Sequence, residues 1–205
     1  MIAIKPKEHL IKKIVLAAGL SKRYGKKNKL TEVFNGKPLI KNTIDVLLEI
    51  FDPEEILLVL GHQHKKIIKL LNNSKINIIH NINYDKGIGT SISTGIKQLE
   101  SYIEGVMIIP ADMPLLCKED FKKLELKFLE FNCKKVILPQ YNSNIGNPVI
   151  LPKSYFQILE SLNEDYGARS QIKNKDVITV NTGIGTILDV DTEEEFKKAK
   201  KYFKS

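Results

Sequence analysis

The sequence predicts an α/β protein, a three-layer α/β/α sandwich around a Rossmann-like, mostly parallel sheet. Three observations predict this fold class. Apolar segments of strand length alternate with amphipathic segments of helix length, a glycine-rich turn follows the first strand, and carboxylates follow two later apolar segments. Strands separated by helices of this length pair in parallel through right-handed crossovers. In such folds, ligands bind at the carboxyl ends of the strands.

The predicted strands are short apolar segments bounded by glycine or polar residues. The first covers 13–19, and the next four are expected at 55–60, 76–80, 106–109 and 136–138. A turn cluster at 142–148 then changes the rhythm of the chain. Because further strands at 149–151 and 178–180 follow this change, we expect some antiparallel pairing late in the chain.

Amphipathic segments separate these strands. Within 38–51, apolar residues including Leu39, Ile44 and Leu48 recur on one helical face. Further helices are expected near 63–71, after the glycines of 85–91, at 119–131 and after Asp191. No internal repeat or Pro/Ser-rich linker divides the chain, so we expect a single domain at 13–205 behind an N-terminal extension at 1–12.

Composition excludes several classes of protein. A chain of 205 residues can bury a core without disulfides, and its two cysteines, Cys117 and Cys133, have no metal-binding spacing. Without a signal peptide or spanning segment, we expect a cytoplasmic protein and no membrane partner. The formal net charge is +8, but acids interleave with the lysines. This pattern favours a solvated surface, and no nucleic-acid partner is expected.

Arginine is rare in this lysine-rich chain and occurs only as Arg23 and Arg169. Both lie in loops that contain glycine. The planar guanidinium can bind two phosphate oxygens at once, which lysine cannot do. These two positions therefore indicate anion recognition, with chance survival of two arginines as the alternative.

Carboxylates follow two of the apolar segments. Asp112 comes directly after 106–110, where it either caps the next helix or faces a ligand at the strand end. Asp189 and Asp191 form a second pair far downstream, also between an apolar run and a predicted helix. Two separated strand-end carboxylates can converge on one divalent cation, which favours the ligand-binding interpretation.

The glycine-rich segment 16–25 supplies the phosphate cradle that such a cation usually accompanies. Gly19 permits a sharp turn, exposed backbone N–H groups can meet phosphate oxygens or a base edge, and Arg23 and Lys29 add positive charge. The spacing fits neither the dinucleotide fingerprint nor the Walker P-loop.

Further short motifs follow this loop in a fixed order, at 28–30, 36–40, 61–63, 87–95, 112–114, 146–148, 165–169 and 188–192. From about 14 to 203, the chain resembles the molybdenum cofactor cytidylyltransferases, which are MobA-like NTP transferases. It departs from their pattern at Tyr24, where Met or Phe is usual, in a slightly long loop at 25–29, and at Ala111, where Gly is frequent.

The resemblance implies a fold of the nucleotide-diphospho-sugar transferase type and a Mg²⁺-dependent reaction. A phosphate oxygen of molybdopterin would attack the α-phosphorus of CTP, so that CMP is transferred and pyrophosphate is released. It also implies a recipient for the product, a molybdenum hydroxylase of the xanthine dehydrogenase kind.

The resemblance also implies residue roles. Asp112 and Asp191 would hold Mg²⁺, with Asp189 as the alternative second ligand. Arg23 and Lys29 would grip the β- and γ-phosphates and, with Asp112, act as catalytic residues. Further nucleotide contacts would come from the first strand end and a helix start, at Leu16, Ala17, Ala18, Gly19, Gly89, Thr90 and Ser91. The acceptor-side residues would be Asn147, Asp165 and Arg169.

Three other functions remain open. The guanylyltransferase of the same cofactor typically has Leu-Ala-Gly-Gly in the first loop, whereas this chain has alanine at Ala18. A sugar- or alcohol-phosphate nucleotidylyltransferase is the second. A nucleotide-binding regulatory protein is the third, and the intact Asp112, Asp191, Arg23 and Lys29 argue against it.

Two histidines, His62 and His64, flank Gln63 at a predicted helix start. Without a third ligand, they favour a loop position near the acceptor for His62 rather than a metal site. His80, at a predicted strand end, is expected to be structural.

Overall fold

Strands and helices alternate along the chain as the sequence predicts. The computed structural model describes residues 10–25, 27–71 and 75–203. The strands are β1 (Ile11–Ala17), β2 (Val33–Phe34), β3 (Lys37–Pro38), β4 (Ile56–Leu60), β5 (Asn77–His80), β6 (Gly105–Pro110), β7 (Val136–Tyr141), β8 (Asn144–Ile145), β9 (Val149–Pro152) and β10 (Val177–Asn181). The helices are α1 (Leu39–Leu48), α2 (His64–Leu70), α3 (Ile88–Ile96), α4 (Lys118–Glu130), α5 (Phe156–Glu160) and α6 (Glu193–Phe203).

Eight of the described strands form one mixed sheet in the order β10-β7-β9-β6-β1-β4-β5, with β8 paired to β7. β1 pairs in parallel with β4 and β6, β4 with β5, and β7 with β10. β9 runs antiparallel to β6 and β7, and β8 runs antiparallel to β7. A mostly parallel sheet with some antiparallel pairing late in the chain is therefore confirmed, while β10 itself pairs in parallel.

Helices cover both faces of this sheet. Successive side chains of a strand point to opposite faces, so Val15 of β1 joins the core beneath α1, α4 and α6, whereas Ile14 joins the core beneath α3 and α5. Both side chains are fully buried. The three-layer arrangement is thus built from two apolar cores, one on each side of the sheet.

The predicted boundaries differ from the observed ones by a few residues. β1 begins at Ile11, inside the segment expected to be an extension, and residues 1–9 of that segment lie outside the described residues. The short hairpin of β2 and β3 and the helix α5 were not predicted. Within the described part of the chain, no helix has the length and apolarity needed to cross a bilayer.

A buried ion cluster lies at the amino ends of the strands. The Lys13 side chain of β1 is fully buried, and its Nζ lies 2.8 Å from Glu55 Oε1 and 2.8 Å from Glu125 Oε1. The same Nζ lies 3.8 Å from the ring centroid of Phe51. The cluster joins β1, the start of β4 and α4. It lies at the amino ends of the strands, whereas the predicted site lies at their carboxyl ends.

Candidate active site

A cavity of about 380 Å³ opens at the carboxyl ends of β1 and β6. Its volume falls within the range typical of small-molecule sites. Of the residues that the sequence predicts for a site, ten line it: Leu16, Ala17, Ala18, Gly19, Arg23, Lys29, Ser91, Asp112, Asp165 and Asp191. The predicted strand-end location therefore coincides with this cavity.

An ion-pair cluster occupies one side of the cavity. Lys29 Nζ lies 2.5 Å from Asp112 Oδ2 and 2.6 Å from Asp191 Oδ1. Arg23 Nη2 lies 2.5 Å from Asp191 Oδ2. The Lys29 side chain is 12% exposed, whereas that of Arg23 is 73% exposed. Two cations and two anions from three distant parts of the chain thus meet at one point.

Backbone hydrogen bonds bring the two carboxylates together. The N–H of the fully buried Val190 donates to the Asp112 carbonyl at 3.0 Å, which places the next residue beside Asp112. The backbone N–H groups of Asp191 and Thr192 donate to Glu195 Oε2 at 2.8 and 2.9 Å. This is the capping box of α6, a Thr-x-x-Glu pattern that fixes where the chain turns into the helix.

The two cations are held by short 3₁₀ turns. Tyr24, next to Arg23, is buried and meets the ring of Phe196 edge-on at a centroid distance of 6.0 Å. Tyr24 is one of the departures from the family pattern, and its ring anchors this turn to α6. The buried Asn28 caps the following turn with its side chain and thereby fixes Lys29.

Electrostatic effects reinforce the cluster. Burial lowers the pKa of Lys29, but the charges and hydrogen bonds of Asp112 and Asp191 outweigh it, so the pKa lies above its usual value. Lys29 therefore carries its proton at neutral pH. Burial raises the pKa of Asp189, and the neighbouring charges of Asp112 and Asp191 raise it further. Asp189 therefore lies within electrostatic reach of Asp112 and Asp191, although it does not itself line the cavity.

The carboxylates fit a hard divalent cation that shares its coordination with substrate. Asp112 Oδ1 is buried and accepts no hydrogen bond from the described residues, which leaves a carboxylate oxygen able to coordinate. No group of three or more His, Cys, Asp or Glu side chains in the described ranges is arranged to hold a metal by itself. Mg²⁺ commonly binds one or two carboxylates together with water and substrate phosphates. Asp112 and Asp191 match that pattern.

The strand end 16–19 also lines the cavity. Its carbonyls are tied into the sheet, because Ala111 N–H donates to Leu16 O at 3.1 Å and His62 N–H donates to Ala18 O at 3.2 Å. These bonds hold the segment rigid against its two neighbouring strands. A rigid backbone edge of this kind can discriminate between flat heteroaromatic rings.

The start of α3 contributes less to the wall than the sequence predicts. Ser91 lines the cavity, but Gly89 and Thr90 do not. The Gly89 N–H donates to the Glu164 carbonyl at 2.9 Å, and Thr90 Oγ1 accepts a hydrogen bond from Asn81 Nδ2 at 2.8 Å. Both residues position the helix, and their contact with a nucleotide stays a prediction.

The three acceptor-side residues do not all line the cavity. Asp165 lines the cavity, whereas Asn147 and Arg169 do not. The Asn147 N–H donates to the Thr186 carbonyl at 2.7 Å, just ahead of β9. Partial burial lowers the pKa of Arg169, and the charge of Asp189 opposes this shift, so these two side chains lie within electrostatic reach. Their roles toward an acceptor stay predictions.

Sequence reasoning assigned no role to several residues of the wall, including Tyr84, Asp85 and Ile88. Asp85 belongs to a glycine-rich stretch noted in the sequence, but no role was predicted for it. Tyr84 carries no sequence signal, because its place on the wall depends on how the chain leaves β5.

The histidines group outside the cavity. His64 and His80 lie with ring centroids 4.0 Å apart, so the structure places a third histidine beside His64. His62 lies by the strand end of β1 and faces the ring of Tyr84 at 6.1 Å.

Comparison with known proteins agrees with this geometry. The model of the MobA-like NTP transferase domain matches residues 13–178. The molybdenum cofactor cytidylyltransferase of Escherichia coli (strain K12) is 27% identical over 195 residues, which cover 93% of this chain and 95% of the relative. A probable molybdenum cofactor guanylyltransferase of Thermococcus sibiricus is 30% identical over 136 residues, which cover 66% of this chain and 65% of the relative.

A solved structure shares the fold. It is the manganese complex of Rv0371C from Mycobacterium tuberculosis, with a TM-score of 0.73, 17% identity, and coverage of 94% of this chain and 98% of that one. At this identity the likeness concerns the fold. The family match spans most of the chain and includes the strand ends of the cavity. The chain therefore belongs to the MobA-like NTP transferase family and is a nucleotidyltransferase.

Proposed function

We propose that this enzyme transfers CMP from CTP to the phosphate of molybdopterin and releases pyrophosphate. The observation that carries the proposal is the cavity itself, which is lined both by the Lys29-bridged carboxylates and by a strand end bearing Ala17 and Ala18. The Lys29-bridged carboxylates suit a triphosphate with a divalent cation, and the two alanine side chains suit a small base. The similarity to a molybdenum cofactor cytidylyltransferase supports the same acceptor.

The proposed reaction is a displacement at the α-phosphorus of CTP. An oxygen of the molybdopterin phosphate forms a new bond to that phosphorus while the bond to the bridging oxygen of the β-phosphate breaks, and pyrophosphate leaves with its electron pair. Such transfers depend on in-line positioning and on neutralising the leaving group. Arg23 and Lys29 would supply that positive charge, and neither residue needs to form a covalent bond.

The metal would be Mg²⁺, held by Asp112 and Asp191. When bound, it would supply Lewis-acid neutralisation of phosphate charge. The manganese complex of the mycobacterial neighbour is in keeping with a divalent site in this fold. Asp189 is the alternative second ligand. After the transfer, a molybdenum hydroxylase of the xanthine dehydrogenase kind would receive the dinucleotide product.

Pyrophosphate release tests the proposal. The purified protein is incubated with each of the four common ribonucleoside triphosphates, with and without molybdopterin, in Mg²⁺ or in chelator. We expect release with CTP only, and only when both molybdopterin and the cation are present. Asp112→Asn should abolish release without unfolding the protein. Nucleotide binding without any release would instead support a regulatory protein.

Guanylyl transfer is the second candidate, favoured by the relative from Thermococcus. The side chains of Ala17 and Ala18 argue for a pyrimidine, since both residues line the cavity and narrow it relative to glycine. Ala18→Gly should therefore relax the preference for CTP over GTP more than it lowers CTP turnover. Competition between the two nucleotides at equal concentration, followed by the mass of the product, checks this. A guanine product from the unaltered enzyme would overturn the cytidylyl assignment.

A further inference from the structure

Tyr84 is the only aromatic residue among the described residues that line the cavity. It lies in a 3₁₀ turn after β5 and packs directly on Gly61. A methyl group built on Gly61 would lie 2.4 Å from Tyr84 Cβ and 2.7 Å from the Ala18 carbonyl oxygen. Tyr84 therefore approaches the strand end that carries Ala18, and both residues line the cavity.

Hydrogen bonds of Asn81 and the rings of two histidines hold the turn that carries Tyr84 in place. The buried Asn81 accepts a hydrogen bond from the Asn83 N–H at 2.9 Å and donates to Ser91 Oγ at 3.0 Å. The rings of His62 and His80 lie 6.1 and 6.5 Å from the Tyr84 ring. The aromatic ring is thus backed by other rings and fixed before any ligand arrives.

We propose that Tyr84 is a specificity residue that packs against the nucleobase and limits the width of the base end of the cavity. This inference rests on the proposed function, because a base read by the backbone at Ala18 would lie next to Tyr84. Aromatic side chains beside a base strengthen its binding through stacking and contact of π-systems. The triphosphate would lie toward Arg23 and Lys29 and would not touch this ring.

Binding measurements with two ligands test the proposal. Tripolyphosphate serves as a ligand without a base, and isothermal calorimetry gives its affinity and that of CTP in the presence of Mg²⁺. For Tyr84→Leu, we expect about tenfold weaker binding of CTP and unchanged binding of tripolyphosphate. Tyr84→Phe should keep the CTP affinity within about twofold, because the Tyr84 hydroxyl forms no hydrogen bond with the described residues and stacking needs only the ring.

Fluorescence provides a second readout that does not depend on turnover. The chain contains no tryptophan, so Tyr84→Trp introduces a single reporter at the cavity wall. CTP should change its emission, and tripolyphosphate should not. Tyr102→Trp is the matched control, because Tyr102 precedes β6 at the opposite edge of the sheet and its emission should respond to neither ligand.

The outcomes separate this inference from the proposed reaction. Equal weakening of CTP and tripolyphosphate in Tyr84→Leu, or no weakening of either, would overturn the role of Tyr84. The expected binding pattern without pyrophosphate release in the presence of molybdopterin would leave Tyr84 in place and reject the proposed acceptor. If the unaltered protein bound no nucleotide at all, both would fail.

Discussion

Lys29 lies between Asp112 and Asp191, where a divalent cation would also find its ligands. The ammonium group neutralises the two carboxylates in the metal-free protein and competes with a metal for them. We therefore expect Lys29→Gln to bind Mn²⁺ more tightly than the unaltered protein in the absence of nucleotide, by about tenfold. Titration followed by electron paramagnetic resonance of free Mn²⁺ measures this affinity.

A change in net charge alone must be separated from this competition. Lys22 lines the same cavity, is exposed, and forms no ion pair with the described residues. Lys22→Gln removes an identical charge and should leave Mn²⁺ affinity nearly unchanged. A similar gain in both variants would show that Lys29 acts only through the overall charge of the protein.

Asp189 makes stability depend on pH. Its pKa is raised above the ordinary 3.8 by burial and then by Asp112 and Asp191, so its favourable contribution is complete only below 3.8 and is lost as the pH rises through the folded value. Asp189→Asn removes this loss. We expect the Tm at pH 7 to rise by only about 2 °C, because the Asp189 side chain is only partly buried and solvent screens its charge, and the difference should vanish near pH 3. Thermal unfolding at both pH values checks this, and an equal gain at both would exclude ionisation as the cause.

At the scale of residues, the sequence predicted the charged cluster and the strand end 16–19 of the cavity but missed Tyr84. Asp112, Asp191, Arg23 and Lys29 stand out because charged groups at strand ends and in glycine loops have a chemical signature, although their roles in turnover stay predictions. Tyr84 has no such signature. Its position follows from contacts between distant parts of the chain, which neither periodicity nor spacing reveals.

At the scale of elements, α3 begins against the loop 163–165. A methyl group on Gly89 would lie 2.4 Å from the Asn163 carbonyl oxygen, so no side chain fits without a backbone shift. Gly89→Ala should destabilise the protein by about 2 kcal/mol and lower turnover, because the helix start that carries Ser91 must move. Urea unfolding gives the change in stability.

Gly167 provides the comparison for that variant. A methyl group there meets nothing within 4 Å, and the backbone φ of this glycine is −79°. Gly167→Ala should therefore change stability by no more than about 0.5 kcal/mol. Comparable losses at both positions would show that the close contact of Gly89 with Asn163 is not the cause.

The elements themselves were predictable where hydrophobic periodicity is strong. The hairpin of β2 and β3 was missed because each strand has only two residues, although Asn35 and Gly36 both adopt positive φ, the signature of a tight hairpin turn. α5 has only five residues, too few for a periodic pattern. The Asn35-Gly36 dipeptide is itself a sequence signal for such a turn and could have identified the hairpin, whereas the five residues of α5 carry no comparable signal.

At the scale of the whole molecule, the buried Lys13 binds strands and helix together far from the cavity. Replacing it leaves Glu55 and Glu125 without their shared cation in a buried place. Lys13→Met should cost about 3–5 kcal/mol of unfolding free energy. Denaturation in urea measures the cost. Lys153→Met breaks an exposed pair with Glu104 and should cost no more than about 1 kcal/mol, and equal losses would contradict the role of burial.

The layers of the molecule could be predicted, but the order of its strands could not. Alternation of strand and helix indicates a parallel sheet with helices on both faces, and the turn cluster at 142–148 indicates a change of direction. The insertion of β9 between β6 and β7 depends on which edges remain free when the chain returns, and this is a property of the assembled sheet.

The reversed direction of β9 places an entering loop among loops that leave the sheet at the carboxyl ends of the parallel strands. β6 leaves the sheet at its carboxyl edge with Asp112, whereas β9 enters the sheet at the same edge, with Val149 beside Ile108. The cavity residues Arg23, Lys29 and Asp112 therefore follow departing strands, whereas Asn147, one of the three residues proposed for the acceptor, lies on the chain that enters β9. During evolution, the loop that enters β9 could therefore be replaced, and the acceptor changed, without altering the residues proposed to bind the nucleotide.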